Sequence, residues 1–123
     1  METIRNHAIE LANVWVSESR SRVVAAATQI ASALSDAIVI WENNTGSQLP
    51  DADPARTALR AHDTMLSIDA ALIAYEYRSG FPDGAGPFGS TADALAEIRE
   101  LLPLVPEDWR DSPTYRSALF DSL

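Results

Sequence analysis

The sequence predicts an all-α protein, an antiparallel helical bundle, on three observations. Residues 1–44 contain no Gly or Pro, so nothing in the first third of the chain breaks a helix. Apolar residues recur there at spacings of three and four, and do so again from Pro54 to Arg78. No stretch alternates as a half-buried strand would, and Ile38-Val39-Ile40 is too short to override its helical setting. With 123 residues the chain is expected to form one domain, residues 1–123, large enough for a core without staples.

The first elements form a long N-terminal helical arm. Ile4, Ala8, Leu11 and Trp15 make one stripe, and Ile9, Ala12 and Val16 make a second that runs in register into Val23. Apolar residues thin out across Ser17-Glu18-Ser19-Arg20-Ser21-Arg22. Two readings are compatible with that: a break capped by Ser17 or Ser19, or a solvated waist in one helix. The pattern favours a long or mildly kinked helix, with an exposed end that promotes dimerisation. Val23 to Trp41 carries a single formal charge, Asp36, and is apolar over most of its circumference. Val23, Ala26, Ile30, Ala33, Ala37 and Ile40 form its seam, widened by Ala27, Leu34, Ile38 and Trp41. A narrow polar strip of Thr28, Gln29, Ser32, Ser35 and Asp36 remains. Such a helix needs neighbours on several sides, so it is expected at the centre of the bundle.

Asn43-Asn44-Thr45-Gly46 supplies the stop, because Asn and Gly tolerate the left-handed conformation of a helix end. Asp53 followed by Pro54 is the clearest start signal in the chain, an N-cap with proline in the first turn. The third helix then carries Ala58, Ala61, Met65, Ile68, Leu72 and Tyr75, with Leu59, Leu66 and Ile73 alongside. It ends near Arg78 and pairs antiparallel with the helix before it. A loop rich in Gly and Pro follows. Ser90 starts a helix whose Ala94, Leu95, Ile98, Leu101 and Leu102 face inward and which Pro103 stops. Pro106-Glu107-Asp108 and Ser112-Pro113 begin two short C-terminal elements, with Trp109, Tyr115, Leu119 and Phe120 folding back onto the bundle.

Composition excludes several functions. The sequence contains no cysteine, which rules out disulfides, thiolate metal sites and a cysteine nucleophile, and fits a reducing cytoplasm. The charged N-terminus leads into no apolar run with a cleavage site, so no signal peptide is expected. A membrane span at Val23–Trp41 would place Asp36 and four polar residues in hydrocarbon, with no flanking basic cluster; no membrane association is expected. A formal charge of −9, with every one of the 9 basic residues an Arg, opposes direct nucleic-acid binding and favours a basic protein partner. The serines fall in caps and turns, and no Gly-x-Ser-x-Gly elbow occurs.

Some residues invite specific chemistry. Gly84-Ala85-Gly86-Pro87-Phe88-Gly89 matches G-x-G-x-x-G, but no strand precedes it and Pro87 removes an amide donor, so a surface loop explains it better than a dinucleotide. His62, Asp69 and Glu76 stand seven apart on one helix face, with Asp36 across the hairpin. The Glu-x-x-His pair of di-metal bundles is absent, and pairing with arginines accounts for these side chains. No metal or other cofactor is expected; binding of a small apolar ligand or metal between the long helices is an alternative. Phe81, Asp83 and Phe88 would sit on a loop at one end of the bundle and are candidate partner-binding residues. Arg56 and His62, five residues intervening, fit the pattern R-x4-6-H. At these two positions the chain resembles the HEPN-domain ribonucleases, small all-α dimers in which such an Arg and His cleave RNA. The resemblance makes Arg56 and His62 the alternative catalytic pair; the polar residue which that family usually places after its Arg would fall on Thr57, and the overall acidity opposes an RNA groove. The leading expectation is a small acidic intracellular interaction protein (adaptor, inhibitor or immunity-type, or assembly chaperone) that is homodimeric and not catalytic.

Overall fold

A computed structural model describes residues 1–78 and 91–122. They form five α-helices and two 3-10 turns, with no strand among the described residues: α1 (Glu2–Ser17), α2 (Arg20–Thr45), α3 (Pro54–Arg78), α4 (Thr91–Leu101), 3-10 turns at Leu102–Leu104 and Glu107–Trp109, and α5 (Pro113–Ser122). The all-α bundle and its short C-terminal helices are as the periodicity requires.

The N-terminal arm is two helices, not one. Glu18 and Ser19 are both extended, with ψ of 149° at each, which ends α1 and restarts the chain as α2. Ser19 begins α2 through its backbone, its carbonyl accepting from Arg22 N and Val23 N, while its hydroxyl makes no capping bond. The two helices run antiparallel and pack closely: Met1, which precedes α1, and Thr3 and Ile4 in its first turn share a shallow cleft with Ala37, Ile40, Trp41 and Asn44 near the end of α2. The continuous reading fails because a rod of that length leaves Ile4, Leu11 and Trp15 without a surface to cover them. Folded back, all three are buried.

The central helix is α3 rather than α2. It touches every other helix, whereas α2 touches only α1 and α3 to any extent. Ala55, Ala58, Ala61, Met65, Ile68, Ala71, Leu72 and Ala74 are buried on it, together with two polar residues, His62 and Asp69. Alanines on several faces let neighbouring backbones approach from more than one side, which a count of large apolar residues does not reveal. On α2 the buried line is Val23, Ala27, Ala31, Leu34 and Ile38. Ala26, Ile30, Ala33 and Ala37, expected at the seam, lie at its half-buried edge, and Ile40 is exposed. Thr28, Gln29, Ser32, Ser35 and Asp36 are exposed, as the polar strip requires.

α2 ends at Gly46 (φ 67°), whose N–H donates to Glu42 O at 2.9 Å, a left-handed termination that glycine adopts without steric cost. α3 starts as its sequence demands, Asp53 Oδ1 accepting from Ala55 N at 2.9 Å. α4 packs on α3, and Arg99 ties it to α5 by donating to Ser122 O through Nε (3.3 Å) and Nη2 (3.1 Å). Trp109 is buried and Tyr115 half-buried against the core, but Leu119 and Phe120 are not folded back: Phe120 is 82% exposed. Their register on α5 is set by Thr114, Ala118 and Ser122, which are buried instead. Removing the α3 cap with Asp53→Ala is expected to cost about 1 kcal/mol in urea unfolding, with the slope of the transition unchanged.

Candidate functional site

Two polar constellations are built on α3, and both reach it from the ends of the α1–α2 turn. The first is buried. Trp15 Nε1, in the last turn of α1, donates to His62 Nδ1 at 3.0 Å; Trp15 is fully buried and His62 only 4% exposed. The ring centroids are 5.8 Å apart, and Trp109 closes the cluster with its ring centroid 6.4 Å from that of Trp15. Accepting at Nδ1 places the proton of neutral His62 on Nε2. Burial pushes the His62 pKa below the ordinary imidazole value, against a weaker pull upward from Asp63.

The second constellation is half-open. Arg20, the first residue of α2, donates through Nε to Asp69 Oδ1 at 3.1 Å and through Nη1 to Glu76 Oε1. Asp69 is 7% exposed, a buried carboxylate with its counter-ion from a different helix. Burial works against the Arg20 charge, but the hydrogen bonds and charges of Glu76 and Asp69 outweigh it and raise the guanidinium pKa further. Ser21, Val24 and Ile73 complete the lining of a cleft of about 530 Å³ between the first turns of α2 and the last turns of α3.

Arg56 sits at the opposite end of the α2–α3 pair. Its Nε donates to Leu49 O at 2.8 Å and its Nη2 to Glu42 Oε2 at 3.1 Å. The same Glu42 oxygen accepts from Leu49 N at 2.9 Å, so one Arg–Glu pair pins the connecting loop and the buried Leu49. His62 lies six positions after Arg56 on α3, about 9 Å along the axis and on a different face. The Arg56 guanidinium is engaged by Leu49 of the loop and by Glu42, and the His62 ring by Trp15. The line of His62, Asp69 and Glu76 is likewise divided, His62 going to Trp15 and the two carboxylates to Arg20. Asp36 is exposed, and among the described residues no three His, Asp or Glu side chains gather as a metal site requires. Phe81, Asp83 and Phe88, the glycine motif at Gly84–Gly89 and the Ser90 cap lie outside the described residues.

Arg20 and Ile73 are the cleft residues that the sequence hides. Arg20 reads as part of a solvated polar run, and its partners lie 49 and 56 residues away, beyond any local pattern. The seven-residue spacing of Asp69 and Glu76 was the available signal. Comparison with protein families, with characterised proteins and with solved structures finds no match for this chain.

Two outcomes follow from these contacts. Because the folded His62 pKa lies below the unfolded value of about 6.5, the unfolded state binds more protons between the two values. The His62 contribution to stability is therefore complete above about pH 6.5 and is lost as the pH falls towards the folded value. The melting temperature should fall on acidification from pH 7 to 5, and His62→Gln, less stable at pH 7, should lose less over the same range. Arg56→Ala leaves Glu42 and Leu49 O without their shared donor and should cost about 2 kcal/mol in chemical denaturation.

Proposed function

We propose that the chain is a small acidic protein-interaction module of the adaptor, inhibitor or immunity-type, or assembly-chaperone kind, which acts by surface binding without catalysis. It works in the cytoplasm as a homodimer, and its partner is a basic protein. The observation that carries this reading is the way large apolar side chains are left open in adjacent sets on an acidic molecule. Val39 and Ile40 are more than half exposed together on α2, Ile73 is 56% exposed on α3, and Leu119 and Phe120 are exposed neighbours on α5. Clustered exposed apolar groups with a charged surround suit a recognition surface, whereas the same residues scattered singly would need no explanation. The charge of −9 adds steering towards a cationic partner.

In this reading Arg56 and His62 serve the fold, one holding the α2–α3 loop and the other the end of α1. α2 is long and apolar enough to cross a membrane by length and composition, and 28% of its apolar window is buried inside the protein, where it packs on α1 and α3. The test is affinity capture with the full chain from the cells that make it, together with light scattering of the purified protein. A dimer and a stoichiometric basic protein released by rising salt are expected. Recovery of no such partner overturns the proposal, as does RNA cleavage that co-purifies with the chain and disappears in His62→Ala.

A further inference from the structure

We infer that the outer face of α2 is where a second copy of this chain docks, the two α2 helices lying antiparallel about a two-fold axis. This rests on the homodimer reading above and names its contact surface. The buried line of α2, Val23, Ala27, Ala31, Leu34 and Ile38, lies on the side that meets α1 and α3. On the opposite side Arg22, Ala25, Gln29, Ser32, Asp36 and Val39 are all exposed and recur at alternating spacings of three and four. That is the seam one helix presents to another along its length. The face also departs from what this protein puts in water elsewhere. Charged residues make up 22% of the chain, yet from Val23 to Trp41 there is one, Asp36. Val39 and Ile40 are open at the C-terminal end of the same face.

The two charges on the seam select the occupant. Arg22 and Asp36 are exposed, and neither has a hydrogen-bond or ion-pair partner among the described residues. They stand fourteen positions apart, two heptads, and so on one line about 21 Å long. Turning a second α2 antiparallel about Gln29 sets Arg22 of each copy against Asp36 of the other, so one axis closes both pairs. In that register Ala25 faces Ala33 and Ser32 faces Ala26, side chains small enough for the backbones to approach. The aliphatic stem of Arg22, reaching for the opposing carboxylate, passes over Val39, one turn beyond Asp36. Elsewhere two copies carrying −9 each repel, whereas this face, with one guanidinium and one carboxylate, is neutral. A basic protein gains nothing from a neutral face. Lipid is a poorer occupant still, because Gln29, Ser32 and Asp36 would enter hydrocarbon.

The test is sedimentation of the full chain over a wide range of concentration, with charge exchange on α2. Arg22→Asp and Asp36→Arg each place like charges together twice per dimer and should weaken dimerisation about tenfold or more. The double variant carrying both changes should restore it, with the helical circular dichroism of all three unchanged. Because the sequence contains no cysteine, Gln29→Cys introduces a single thiol, beside the axis. A short bis-maleimide should link it to its own copy, and should link Arg110→Cys, exposed in the tail, at least about tenfold more slowly. Two results overturn the α2 contact while leaving the homodimer standing: a dimer that neither single variant weakens, or equal cross-linking of the two cysteine variants. Failure of the double variant to recover what the single ones lose overturns the antiparallel register that defines the proposal. A chain that stays monomeric at every concentration removes the homodimer and its interface together. Saturable binding of that monomer to lipid vesicles would make a membrane the occupant instead.

Discussion

Two buried polar side chains on α3, His62 and Asp69, have to be satisfied, and each is satisfied from a different helix. Trp15 comes from the end of α1 and Arg20 from the start of α2, so the two bonds straddle the turn at Glu18 and Ser19. A buried polar group stripped of its partner costs about 1–3 kcal/mol, more if charged. The position of the turn is therefore specified by where α3 presents these two groups, and the extended Glu18–Ser19 pair is the backbone consequence. Sliding α1 or α2 by one residue would break one bond or the other. The apolar contacts around them, largely alanine on α2 and α3, are less discriminating about register.

At the far end of the same pair of helices the arrangement is repeated with opposite polarity. Arg56 is on α3 and its carboxylate, Glu42, on α2, whereas near the turn the guanidinium is on α2 and the carboxylates on α3. The two ion pairs fix the antiparallel direction of α2 and α3, and the cleft described above lies at the end that Arg20 holds, with Asp69 and Glu76 in its wall.

The helical character of the chain, the Gly46 stop and the Asp53-Pro54 start were legible because each depends on neighbours within four residues. The polar strip of α2 could be read for the same reason. The break at Glu18 could not, because it is decided by Trp15 and Arg20 bonding to residues some fifty positions away, and the local run Ser17–Arg22 is compatible with either outcome. The identity of the central helix was hidden by composition. α2 is the more apolar segment, but α3 combines Met65, Ile68 and Leu72 with small buried alanines and accepts α1, α2, α4 and α5 as neighbours. Of the candidate site, the seven-residue spacing of His62, Asp69 and Glu76 marked the right face of the right helix. Their division between an indole and a guanidinium is a tertiary fact, and so is the engagement of Arg56 by Glu42 and Leu49.

The Trp15–Trp109 contact has a consequence for the order in which the core can close. The Trp15 ring, near the end of α1, packs against an indole carried by the 3-10 turn beyond α4. The α1–α2 hairpin and the docking of α3 on it draw on contacts nearer in sequence, but the aromatic cluster has to wait for a pairing across most of the chain. The segment that carries Trp109 is thus the closing piece of the core.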